Sequence, residues 1–326
     1  MSIRNTHCVG EYKIIGRISA GAFGEIFQGE HVGTKEKSAI KLEKKIGTYQ
    51  LRHEYKIYVL LQSENKYVSR VHYMGMAAIE GVKREMLVLD LLGPSLESLF
   101  NYCDRKFSLK TVLMLADMLV TRIEYMHYKN VVHRDVKPEN FVFGVQFEGN
   151  EKERIAKDAL YVIDFGLSIV YRTSTYAHIA METGKKLIGT VRYSSLNTHN
   201  GISQSRRDDL ESLAYMLIYF MKGELPWQNL KDTPREAKYR KIGALKMSIP
   251  VETLCEGLDE SFGKFLRYTR ELRYDQMPDY FHIKEIFSSA MIRNNIVYDF
   301  DFDWFLKFSA TNEPIRRNMK KNPGNK

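Results

Sequence analysis

Two runs of this chain carry side chains of the kind that move a phosphoryl group onto a hydroxyl. They are His133-Arg134-Asp135-Val136-Lys137-Pro138-Glu139-Asn140 and, in the next predicted β-hairpin, Asp164-Phe165-Gly166. Such a transfer needs one group to accept or orient the hydroxyl proton and metal ions to bridge the phosphates, all on rigid neighbouring loops. Asp135 is the candidate base, and Asn140 and Asp164 are oxygen ligands suited to Mg²⁺. Either run alone would more often make a turn or cap a helix; the two in this order point to the chemistry.

Upstream, Ala39-Ile40-Lys41 puts a lysine on an apolar strand, and Glu54 lies on the helix that follows, so the two can meet as an ion pair. A lysine so placed can hold the α- and β-phosphates of ATP while the glutamate holds the lysine. Ser19-Ala20-Gly21-Ala22-Phe23-Gly24 occupies the place of a phosphate loop between two predicted strands. Glycines there let the backbone approach phosphates because no Cβ intervenes. The match is degenerate, since Ser19 stands where the first glycine is expected, and an ordinary hairpin turn is the competing reading.

These groups need elements to position them. From Tyr12 to Leu42, short β-rich runs (Tyr12-Lys13-Ile14-Ile15, Glu25-Ile26-Phe27, Ser38-Ala39-Ile40-Lys41) alternate with turn residues and predict an antiparallel meander. Residues 48–62 carry Leu51, Tyr55, Tyr58 and Val59 at helical spacing, which predicts one helix with a single apolar stripe. Two further β-like runs, Tyr67 to Met76 and Glu85 to Leu92, end at Gly93-Pro94. Beyond that pair the pattern turns helical, at Leu109 to Tyr128, Arg207 to Lys222 and Phe262 to Leu272. The expected organisation is a lobe at 1–92, a larger mainly helical lobe at 93–308 and a short basic tail, expected to be disordered, at 309–326.

The motifs together resemble the casein kinase 1 family of protein serine/threonine kinases, over roughly residues 9–308. The resemblance rests on Gly189-Thr190-Val191-Arg192-Tyr193-Ser194-Ser195-Leu196-Asn197-Thr198-His199, where most protein kinases carry Ala-Pro-Glu. It rests also on Ser205-Arg206-Arg207-Asp208-Asp209-Leu210-Glu211-Ser212, on Leu92-Gly93-Pro94-Ser95-Leu96 and on Leu225-Pro226-Trp227-Gln228. It implies an α+β, bilobal protein-kinase fold: a small antiparallel sheet lobe with one main helix, and a larger mainly helical lobe. It also implies ATP and Mg²⁺ as cofactors. The nucleotide would meet Ile18 to Gly24, Ile26, Ala39, Lys41 and Asn140, with backbone groups of Asp90 and Leu92 on the adenine and Leu89 behind it. Lys137 would sit beside the transferred phosphate, as in serine/threonine rather than tyrosine kinases. Thr190 would bond near Asp135 and Lys137, and Asp209 would brace the catalytic loop. Arg192, Lys231 and Lys185 fall where the family's anion site is expected, so protein substrates with acidic or phosphorylated residues upstream of the target Ser or Thr are implied. Constitutive activity is implied too. The chain departs from the pattern at Ser19 and at Ile169, where relatives commonly carry a lysine that adds to an anion contact beside Arg134. The segment from Gly144 to Asp158 is also longer than usual.

Composition bounds the remaining possibilities. The chain has 326 residues, 44% apolar and 27% charged, which is ordinary for a globular protein. Its apolar runs are too short to cross a bilayer and no lipid-anchoring signal is apparent, so no membrane anchor is expected. Cys8, Cys103 and Cys255 show no metal-ligand spacing and read as reduced thiols. A net charge of +9 suits nucleic acid, an acidic membrane surface or an acidic substrate equally. Nucleic acid has only this charge in its favour and is not expected as a partner. A monomer in the cytoplasm or nucleus is expected. A catalytically dead scaffold would have lost one of Lys41, Asp135, Asn140 or Asp164, and a small-molecule kinase would lack the segment from Gly189 to His199.

Overall fold

A computed structural model describes residues 8–20, 24–43, 49–62, 67–79, 81–144, 160–230 and 234–311. The period-2 runs of the first part become strands β1 (Cys8–Val9), β2 (Tyr12–Ala20), β3 (Gly24–His31), β4 (Lys37–Glu43), β5 (Val71–Ile79) and β6 (Val82–Asp90). They form one antiparallel sheet of order β1-β2-β3-β4-β6-β5. The strands at the two ends of this order touch each other, so the sheet curls around one face. That face carries Ile14, Phe27, Ile40, Leu42, Met86 and Val88, all buried. Because side chains alternate along a strand, Ala39, Lys41, Leu87 and Leu89 point to the opposite face. Helix α1 (Gln50–Gln62) packs against β4, β5 and β6.

The stripe expected on α1 is only half right. Leu51 and Tyr58 are buried, but Val59 is exposed and Tyr55 half-buried, and the covered side is completed by Glu54, Ile57 and Leu61. A carboxylate occupies an apolar position because its partner, Lys41, comes from β4.

The chain divides into two compact units. Of the described residues, the first holds those up to Ser98 together with those between Phe141 and Gly166; the second holds Leu99–Asn140 and those from Leu167 to Thr311. The division thus falls within helix α2 (Leu96–Tyr102), a few residues beyond the boundary expected near 93. It also returns a later segment to the first unit. That segment carries the hairpin β8 (Phe141–Phe143) and β9 (Leu160–Val162), bridged to Ser95 and Val68.

The second unit is built around α3 (Leu109–Tyr128), whose expected span is met to the residue. Ser108 accepts the Thr111 N–H at its start, as an N-cap serine should. Around it lie α5 (Arg206–Lys222), α8 (Glu260–Glu271) and α9 (Tyr280–Arg293). The short helices α4 (Leu196–His199), α7 (Val251–Leu254) and the longer α6 (Arg235–Ser248) complete this part, with β7 (Val131–Val132) pairing β10 (Ile169–Val170). Helix α10 (Asp303–Thr311) runs three residues past the expected tail boundary at 308. The rest of the tail, and all of the 144–158 segment except Gly144, lie outside the described residues. Among the described residues no helix is long and apolar enough to cross a membrane, and Cys8, Cys103 and Cys255 are free thiols.

Candidate active site

In the first unit the sheet register assembles one set of groups. Ile26 pairs with Lys41 and Ala39 with Leu89, so these four share the face opposite the apolar core. Ser19 pairs with Ile26, and Ile18 is the extra residue of a bulge between the pairs Arg17/Phe27 and Ser19/Ile26. Ala20 closes β2 and Gly24 opens β3, while Gly21, Ala22 and Phe23 between them lie outside the described residues. Gly24 has a packing reason of its own: a Cβ there would stand 2.3 Å from the Leu42 carbonyl oxygen on β4. At the end of β6 the Asp90 N–H is donated to the Arg70 carbonyl, and its carboxylate accepts the Arg70 N–H and faces His72 Nε2, each at 2.7 Å. Leu92 follows, half-buried.

Lys41 Nζ donates to Glu54 Oε2 at 2.6 Å and to Asp164 Oδ1 at 2.8 Å. Burial alone would pull the ammonium down, but the Asp164 and Glu54 carboxylates outweigh it and hold Lys41 above the ordinary lysine value. Lys41 is therefore a permanent cation, as a phosphate contact must be. Asp164 adopts a left-handed backbone, φ 66°, uncommon for a residue with a side chain and characteristic of functional sites. The next residue, Phe165, is fully buried and meets Tyr58 of α1 edge to face at 4.8 Å. Packing of α1 and placement of Asp164 are thereby linked.

In the second unit the loop after β7 carries the other set. Lys137 Nζ donates to Asp135 Oδ2 at 2.5 Å and to Thr190 Oγ1 at 3.3 Å, and the Thr190 N–H donates to Asp135 Oδ1 at 2.7 Å. Asn140 donates its side-chain N–H to the Asp135 carbonyl at 2.9 Å, which leaves the carboxamide oxygen as its ligating atom. Gly189 lets Thr190 come this close: its φ is 96°, and a Cβ would stand 2.4 Å from the Arg134 carbonyl oxygen.

The loop is held from below by Asp209, in the first turn of α5. Its carboxylate accepts the His133 N–H at 2.7 Å and the Arg134 N–H at 2.9 Å, the bonds implied for it. Arg134 is also left-handed, φ 66°. The resemblance did not extend to the next layer. Asp209 also faces His127 Nε2 at 3.0 Å, and His127 Nδ1 faces the Tyr280 hydroxyl at 2.6 Å. Burial holds His127 below its ordinary value, hence neutral. A carboxylate can only accept, so Nε2–H donates to Asp209 and the Tyr280 O–H donates to Nδ1. No local signal marks His127 or Tyr280, because their partners are remote in the chain.

Arg192 is half-buried. Its guanidinium lies over the rings of Tyr193 and Tyr219, at 5.6 and 5.8 Å. Lys185 is exposed and pairs with Glu182. No bond or ion pair joins it to Arg192 among the described residues, and Lys231 lies outside them. Ile169 sits in β10, and the nearby Arg134 Nε donates to the Leu167 carbonyl at 2.6 Å.

No three His, Cys, Asp or Glu side chains among the described residues gather as a metal cage. Mg²⁺ does not need one: it takes one or two carboxylates with phosphate oxygens and water. Asp164 in the first unit and Asn140 in the second each carry a hard oxygen of that kind.

The family model of the protein kinase domain matches residues 12–273, most of the chain. The chain belongs to the protein kinase domain family and is a kinase that draws its phosphoryl group from ATP and acts on proteins.

Proposed function

We propose that the protein is a casein kinase 1-like serine/threonine kinase, using Mg²⁺·ATP and preferring sites preceded by acidic or phosphorylated residues. The observation that carries this reading is the Lys137 ammonium, bonded at once to Asp135 and to Thr190. It stands two residues after the candidate base, where a serine/threonine kinase needs a cation for the phosphate in transit.

In the reaction the substrate hydroxyl oxygen attacks the γ-phosphorus, the bond to the bridging β–γ oxygen breaks, and ADP leaves. Asp135 orients the hydroxyl and takes its proton. Its Oδ2 already accepts from Lys137 and, at 3.5 Å, from Asn140, while Oδ1 accepts only the Thr190 N–H among the described residues and retains a lone pair for that purpose. Lys41, fixed by Glu54, would neutralise the α- and β-phosphates, and Lys137 the γ-phosphoryl oxygens as charge builds there. Asn140 and Asp164 would hold Mg²⁺, which supplies charge neutralisation to the phosphates when bound. The side chains of Ile26, Ala39 and Leu89 offer an apolar wall to the adenine, with backbone groups of Asp90 and Leu92 at its edge. Arg192, Lys231 and Lys185 would meet the anionic residue of the substrate. The formed Lys41–Glu54 pair supports activity without prior phosphorylation. A monomer acting on proteins in cytoplasm or nucleus completes the proposal.

A peptide library with Ser, Thr or Tyr acceptors and acidic, phosphorylated or neutral residues upstream tests this reading. Labelling of Ser and Thr peptides with acidic or phosphorylated flanks is expected. Preferred labelling of Tyr would overturn the acceptor assignment, and equal use of all flanks would overturn the anion preference.

A further inference from the structure

Lys246 takes no part in the chemistry above, yet its side chain, on α6, is fully buried. Its ammonium donates to the carbonyl oxygens of Val191 at 2.9 Å and Ser194 at 2.5 Å. It also lies over the rings of Tyr215 and Trp227, at 4.8 and 5.2 Å. Trp227 in turn donates its indole N–H to the Arg192 carbonyl at 2.8 Å. The carbonyls of Val191, Arg192 and Ser194 are thus all tied down, by α6 and by the segment after α5, while the Arg192 side chain rests on two tyrosine rings.

Burying an ammonium is unfavourable unless acceptors and a countercharge offset it, and an apolar side chain of the same volume would fill the space more cheaply. The countercharge is Glu211 of α5, whose Oε1 accepts the Leu196 N–H at 3.1 Å and the Tyr215 O–H at 2.7 Å. Arg270 of α8 shares that carboxylate, its Nε 3.7 Å from Glu211 Oε1, and its Nη2 donates to the Tyr215 hydroxyl at 3.0 Å and to the Lys246 carbonyl at 3.3 Å. His199 of α4 is the remaining titratable neighbour, held low by burial and by Lys246.

We propose that Lys246 is a positioning residue for the substrate anion site. By gripping the carbonyls on both sides of Arg192, it fixes the backbone from which that guanidinium is presented to an acidic residue of the peptide. The inference rests on the anion-site reading of Arg192. Burial pushes the Lys246 ammonium well below the ordinary lysine value, with Glu211 opposing and Arg270 adding to the fall. The charge is lost as pH rises through that lowered value, so the grip weakens on the alkaline side. An arginine in its place would stay protonated.

The experiment compares kcat and KM on one Ser peptide with aspartates upstream and on its neutral counterpart, from neutral to alkaline pH. The proteins are wild type, Lys246→Met, Lys246→Arg, Arg192→Ala and the Lys246→Met/Arg192→Ala double variant. Lys246→Met and Arg192→Ala are each expected to lower the acidic-to-neutral ratio of kcat/KM by about tenfold, through KM, as loss of a charged hydrogen bond would. The double variant is expected to be no lower than the worse single one, since both act on one contact. Lys246→Arg keeps a charged donor across the assay and should hold the ratio, and any alkaline fall in wild type should be absent from it; these two proteins decide the matter if Lys246→Met does not fold. An unchanged ratio in Lys246→Met beside a lowered one in Arg192→Ala overturns this inference alone. So does an equal fall of kcat on both peptides, or an alkaline fall of the ratio that wild type and Lys246→Arg share. An unchanged ratio in Arg192→Ala overturns the anion-site reading and this inference with it.

Discussion

Lys41, Glu54 and Asp164 are held by one another, whereas Asp135, Lys137 and Asn140 are held by a frame. The first three come from β4, α1 and the segment after β9, with 13 and 123 residues separating Lys41 from its partners, and side-chain ion pairs join them. The second three lie within one short loop, whose backbone is tied to Asp209 and through it to His127 and Tyr280. A cluster joined by side-chain ion pairs to α1 depends on that helix being docked, so a shift of the helix would dismantle it. A loop pinned through its own N–H groups stays built when its side chains change. The first region can be switched by packing, and the second is a fixed template.

The largest effect expected from breaking this contrast is on the first region. Lys41→Met should lower kcat/KM for ATP by about 10²–10³-fold, the scale for removing one preorganised contact to developing charge. Initial rates with varied ATP measure it, and a loss under tenfold would remove Lys41 from the phosphate role.

Next comes the frame. Asp209→Ala leaves the N–H groups of His133 and Arg134 and the ring N–H of His127 without their acceptor. A stability loss of roughly 3 kcal/mol is expected, with a fall in turnover. Asp209→Asn, which keeps one acceptor oxygen, should lose less. A denaturant midpoint at the wild-type value in Asp209→Ala would show that the loop is pinned elsewhere.

The smallest effect sharpens the view of the frame as a buried network. Burial pushes the neighbouring Asp208 carboxyl up to about 7, against the Ser195 O–H and Ser205 N–H donated to it. The folded state therefore keeps a proton that the unfolded chain has lost. The stability it contributes is full below the ordinary aspartate value and disappears as pH rises through about 7. Asp208→Asn should remove this part of the slope of melting temperature against pH, a change of a few degrees. An identical slope in both proteins would show that Asp208 does not carry it.

Much of this was legible in the chain because the signals were local. The helical pattern from Leu109 to Tyr128 set α3 to the residue, and the order of the two catalytic motifs pointed to Asp135, Asn140 and Asp164. Tertiary partners decided the rest. Glu54 replaced Val59 on the covered side of α1 because its charge is matched by a strand outside the helix. Helix α9 escaped notice although Asp279 caps it through the His282 N–H and Ile283, Phe287, Ala290 and Met291 share its buried side. Lys246 resembled any charged residue on a surface helix, since the two carbonyls it grips lie more than 50 positions earlier.

The most direct test of the account is turnover and ATP affinity measured together for Asp135→Asn on an acidic Ser peptide. The template view expects turnover to fall by roughly 10²-fold or more, with ATP affinity close to wild type, because Asp135 serves the hydroxyl and not the nucleotide. Near-normal turnover in that variant would contradict it.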